Sequence, residues 1–74
     1  MITVKLIYAK SGEPYPNIKV ALGFDGIFRG VSEDQWTDAN GEAHFTHDPG
    51  NGRIFVRGST AHTGYLSGRV VVYI

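Results

Sequence analysis

Asp38, Asn40, Glu42 and His44 stand at alternate positions of the stretch TDANGEAHF, residues 37–45. Two carboxylates, an amide and an imidazole so close together are the residue types of a metal loop or of an acid–base site. A calcium loop of the helix–loop–helix kind needs oxygen ligands at alternate positions, glycine at the sixth and glutamate at the twelfth. With Gly41 in sixth place the first falls on Trp36, which cannot ligate. A four-residue turn accounts for the same residues. Asp at its first position accepts a hydrogen bond from the turn backbone, Asn suits the third, and Gly at the fourth takes a positive φ. Asp38, Asn40 and Gly41 are therefore expected to build a structural turn, with no metal and no cofactor.

The other candidates for chemistry are sparse. His44 and His47 face opposite sides if both lie on one strand, because side chains alternate there. With His62 in a separate segment, the three histidines do not read as a zinc set, even with Asp48 as a carboxylate ligand. Ser59 and His62 are near in sequence, but there is no Gly-x-Ser-x-Gly elbow and no cysteine. A chain of 74 residues also has little room for both a core and a concave active site. The expectation is a non-enzymatic protein.

Bulk properties narrow the class. The chain is one domain, residues 1–74, without cysteine and with zero formal charge. Disulfides and thiolate metal sites are excluded. Charge comes in blocks: the first nineteen residues are net basic, residues 20–52 net acidic and residues 53–74 net basic. Neutral overall charge gives no general attraction to nucleic acid or anionic membrane, and the pair Arg53 and Arg57 flanking Phe55 is too little for a nucleic-acid surface. No apolar run approaches a membrane span, and Lys5 interrupts the apolar start where a leader peptide would need continuity. A complete chain of this kind is expected in the cytosol; a module cut from a larger protein leaves the compartment open.

The elements that must position these residues are strands. ITVKLIY alternates Ile2, Val4, Leu6 and Tyr8 against Thr3, Lys5 and Ile7, and IKVALGF does the same with Ile18, Val20, Leu22 and Phe24. VSEDQWT reads as a strand that turns Trp36 inward. EAHFT and RIFVRG follow as strands, STAHTGY as a loop, and LSGRVVVYI as the last strand. Gly12, Pro14 and Pro16 break the first connection, and Pro49, Gly50, Asn51 and Gly52 mark another turn. About seven short strands, six to eight, at this spacing predict a small antiparallel Greek-key β-sandwich.

Three segments, SGEPYPNIKVAL, WTDANGEAHF and DPGNGRIFVRG, resemble in order and spacing the carboxypeptidase regulatory-like domains, which are transthyretin-like (prealbumin-like) sandwiches. The resemblance implies that Gly12 and Pro14 shape the first hairpin, that Thr37, Asp38 and Gly41 make the central turn, and that Ala43, Phe45 and Val56 sit in the core. Related adhesin modules carry a Lys–Asn isopeptide bond. Lys5 is present, but the last strand holds no Asn to complete it.

What remains is surplus apolar surface. Ile7, Phe55, Val71 and Tyr73 all lie on the non-core side of their strands and would form a patch rimmed by Arg53, Arg57 and Arg69 if those strands adjoin. The expected function is protein interaction or a structural role through a sheet face or edge strand, self-association included, as a homodimer. The alternative is a carbohydrate or small-ligand binder that stacks its ligand on Tyr15, Phe28, Trp36 and Tyr65.

Overall fold

In the computed structural model, which describes residues 1–26 and 30–74, ITVKLIY forms strand β1 (Ile2–Tyr8) and wholly buries Ile2, Val4 and Leu6. Its outer face carries Thr3, Lys5 and Ile7. The further strand segments are β2 (Glu13–Pro14), β3 (Lys19–Phe24), β4 (Gly30–Val31), β5 (Gln35–Trp36), β6 (Glu42–Phe45), β7 (Gly50–Val56), β8 (Ser59–Leu66) and β9 (Gly68–Tyr73). Among the described residues there are thus nine segments rather than seven, three of them two residues long, and no helix. No helix, therefore, is long and apolar enough to cross a membrane.

The segments form two sheets around one core. In the first, β1 is central. Antiparallel β6 and β2 follow one another along one side of it, and β9 lies on the other side. In the second, β3, β7 and β8 are antiparallel neighbours, and β4 and β5 share the other side of β3. Ile2, Leu6 and Phe45 of the first sheet meet Leu22, Ile54 and Leu66 of the second, all fully buried. Each contributes roughly 1.5–3 kcal/mol by leaving water.

One pairing departs from an all-antiparallel sandwich: β9 runs parallel to β1, Ile2 beside Gly68 through Ile7 beside Tyr73. The stretch read as one last strand is in fact divided. Leu66 ends β8 in the second sheet, and after Ser67 the chain re-enters the first sheet at Gly68, whose φ is +55°. A strand that switches sheets needs a local bend, and glycine supplies it without a Cβ clash.

The stretch STAHTGY, expected as a loop, is most of β8. It returns from β7 through a two-residue turn, Arg57–Gly58, with φ of +53° and +83°. Both positive values mark the tight hairpin whose twist matches its strands. β8 escaped the alternation rule because its residues are mostly polar and exposed on both faces. Trp36, expected inward, is 58% exposed; its neighbour Thr37 is buried instead. The Thr37 hydroxyl accepts the Ile18 N–H at 2.9 Å and donates to the Tyr15 carbonyl at 2.7 Å, so a small polar residue is fully satisfied inside.

Candidate functional site

The turn after β5 carries the chain from the second sheet to the first. Asp38 C=O accepts the Gly41 N–H at 2.9 Å, and Asp38 Oδ1 accepts the N–H groups of Asn40 at 2.8 Å and Glu42 at 3.0 Å. Gly41 has φ +75°, and a Cβ there would come within 2.6 Å of the Leu6 carbonyl. The turn therefore presses against β1, where the Gly41 C=O accepts the Leu6 N–H at 2.8 Å. This anchoring curls Asp38 back over the face of β6 on which Glu42 and His44 stand two residues apart.

The result is a convergence. One ligand atom each from Asp38, Glu42 and His44 lies within 4.8 Å of the others. His44 Nε2 is 3.9 Å from Asp38 Oδ2 and 3.9 Å from Glu42 Oε1. Around them, Thr3 Oγ1 meets His44 Nδ1 at 2.9 Å, and Arg69 from β9 reaches across β1 to Glu42 Oε2 at 2.7 Å. The Asp38 carboxyl is held below the usual aspartate range, first by the Glu42 backbone N–H, then by that of Asn40 and by the charges of His44 and Lys5. Thr3, His44 and a carboxylate follow the order of a nucleophile–base–acid relay. They stand on an open strand face, however, and line neither the groove at Lys19 and Phe55 nor the one at Val56 and Ile74. Sequence reading treated the turn and the histidines separately and so missed the grouping. The available signal was Glu42 and His44 at i and i+2, one face of a strand, preceded by a turn that folds its Asp back.

The apolar half of the same face is narrower than expected. Ile7 stands on it between Pro14 and Tyr73 but is buried, at 8% exposure. Val71 and Tyr73 are exposed. Phe55 does not join them. It belongs to the second sheet, where its ring lies over Gly23 on the opposite outer face of the molecule. The expected four-residue patch is therefore divided between two sheets. Its arginines part in the same way: Arg69 stands on the first sheet, Arg53 lies 3.8 Å from Asp25, and Arg57 donates to the Tyr15 hydroxyl at 3.0 Å while stacking over that ring.

β9 is an edge. Among the described residues it pairs only with β1. Ile74 donates its N–H to the Ile7 carbonyl of β1 and accepts, at its C=O, the N–H of Ala9 just beyond β1. Alternation then directs the N–H and C=O groups of Arg69, Val71 and Tyr73 away from β1. A groove of about 400 Å³ lies between Ile74, which follows β9, and the β7–β8 hairpin, lined there by Val56 and Ala61 among others.

On the outer face of the second sheet, the register sets Trp36 beside Lys19 and Val31 beside Gly23, and Phe55 lies beside Ala21. Lys19, Ala21, Val31, Asp34, Phe55 and Gly58 line a groove of about 290 Å³. Tyr65 shares this face in the row of Asn51. Tyr15 is elsewhere, packed edge-on against Tyr8 with 5.2 Å between ring centroids. Phe28 lies outside the described residues. The remaining histidines are dispersed: His47 is 3.7 Å from Glu33, and His62 stands opposite Ile54.

Comparison with known proteins finds no match: no family model, no curated protein and no solved structure is similar to this chain.

Proposed function

We propose that the protein is a non-enzymatic interaction module that associates with a second copy of itself through the free edge of β9. The observation that carries this reading is the edge itself. Among the described residues, the six of Gly68–Tyr73 pair on one side only, with no proline and no charged residue after Arg69. Natural proteins cover or blunt such an edge, because its unpaired backbone groups template another strand. Two copies of β9 related by a two-fold axis at Val71 would pair antiparallel. Val71 would then face its own counterpart, and Arg69 would face the partner's Tyr73. Every outward N–H and C=O of Arg69, Val71 and Tyr73 would be satisfied, and the two arginines would stay apart, each keeping its ion pair with Glu42 of its own copy. Within this reading the domain is a transthyretin-like Greek-key sandwich, supported by the Gly12–Pro14 hairpin and the Thr37–Gly41 turn of the carboxypeptidase regulatory-like pattern.

Sedimentation of the wild type at about 100 µM, where association weaker than about −5.5 kcal/mol escapes detection, is expected to show a dimer. Val71→Pro removes an N–H that points away from β1, so it should give a folded monomer. Val71→Lys should do the same. A wild type that sediments only as a monomer would overturn the proposal.

A second reading is favoured by the exposed Trp36 beside the groove of Lys19, Asp34 and Phe55. A flat aromatic ring flanked by a charged donor and acceptor suits a carbohydrate. Tryptophan fluorescence that shifts on addition of oligosaccharides to a monomeric wild type would support it.

A further inference from the structure

We infer that Asp38, Glu42 and His44 form a divalent-metal site on the outer face of the first sheet, suited to zinc and similar borderline cations. The strongest ground is the division of labour within each ligand. Asp38 engages two backbone N–H groups through Oδ1, Glu42 engages Arg69 through Oε2, and His44 engages Thr3 through Nδ1. Of the atoms left over, His44 Nε2 lies 3.9 Å from both Asp38 Oδ2 and Glu42 Oε1, and one ligand atom from each residue lies within 4.8 Å of the others. Outer partners that fix one atom of a ligand and aim the other are the usual company of a metal centre.

The size of the gap agrees with this. At 3.9 Å from each carboxylate oxygen, His44 Nε2 is too far away for a hydrogen bond to either. The three groups therefore surround a space instead of closing on one another. Ligand atoms of a tetrahedral zinc site are about 3.4 Å apart when each metal–ligand bond is about 2.1 Å. The two His44 separations exceed that by roughly half an ångström, and all separations within the group stay below 4.8 Å, a difference that side-chain torsions supply. The tautomer also fits: a metal on Nε2 requires the proton on Nδ1, which then donates to Thr3 Oγ1. His44 is half exposed, so water can fill the fourth position. One imidazole and two carboxylates suit zinc, manganese or cobalt. Calcium, which takes six to eight oxygens, is poorly served.

Calorimetric titration of the untagged protein with zinc chloride, manganese chloride and calcium chloride tests the site. One zinc per chain is expected, with calcium binding undetected. His44→Gln should weaken zinc binding at least tenfold, and Asp38→Asn likewise. Thr3→Val, which leaves the three ligands in place, should weaken it by about 10- to 100-fold. The double substitution His47→Gln/His62→Gln should leave it unchanged. Nitrogen-15 spectra of wild-type histidines should show zinc shifting Nε2 of His44 with Nδ1 protonated, a readout that does not depend on any variant folding. Absence of binding at millimolar zinc, binding that survives His44→Gln, or binding lost with His47 and His62 would overturn the inference.

Discussion

Asp38 and Gly41 show how much one turn can hold. Asp38 accepts two backbone N–H groups, and Gly41 combines a positive φ with contact against the Leu6 carbonyl. Asp38→Ala leaves the Asn40 and Glu42 amides without that acceptor and should lower the melting temperature by several degrees. Gly41→Val should lower it further, since a β-branched residue is strained at that φ and has no space. Differential scanning calorimetry checks both; an unchanged Asp38→Ala transition would show that solvent replaces the acceptor fully. The pH dependence has a definite sign. The Asp38 carboxyl is lowered in the folded state, so its stabilising share is complete above the unfolded value of about 3.9 and is lost as pH falls through the lower folded value. Below about pH 4 the wild type should therefore lose stability more steeply than Asp38→Asn. The turn was legible because Asp, Asn and Gly each have a backbone reason to stand where they do. The convergence of Asp38 with Glu42 and His44 was not, because it depends on how tightly Gly41 seats the turn against β1.

At the scale of elements, strands with one apolar face were readable: β1, β3, β7 and the inner positions of β9 all follow period two. The departures have separate causes. Gly50, Asn51 and Gly52, expected in a turn, are the first residues of β7, where Gly52 packs so closely on Gly23 that no side chain would fit. β8 is held by pairing with β7 rather than by burial, and polar β-formers such as Thr60 and Thr63 leave no alternating apolar signal. Trp36 was placed one residue out of phase, since side-chain size suggested burial while hydrogen bonding put Thr37 inside. The β8–β9 junction was also hidden, because Ser67 and Gly68 look like an ordinary interruption. Gly68 has a positive φ and nothing within 4 Å of where a Cβ would stand, so a substitution there probes backbone conformation alone. Gly68→Ala should cost about 1–2 kcal/mol in urea denaturation, and Gly68→Asn less. Equal stability of Gly68→Ala and wild type would mean that the sheet switch does not need the left-handed conformation.

The whole molecule depends on β1, which pairs with β2, β6 and β9 and wholly buries three side chains in the common core. Sequence periodicity gave strands and core positions but not the allocation of strands to sheets, and that allocation separates Phe55 from Val71 and Tyr73. It also gives the molecule a mechanical character. In the parallel pair, Met1 precedes one end of the ladder and Ile74 follows the other. Tension applied at those two residues drags β1 and β9 in opposite senses along their shared axis, so the rungs are loaded together and must give way together. Tension applied at Ala9 and Ile74, which sit at the same end, peels the rungs one after another. Single-molecule pulling should record a much larger rupture force through the first pair of anchors than through the second, and equal forces would show that another part of the fold yields first. A domain strung in a chain by these two ends would resist stretching as a lap joint does.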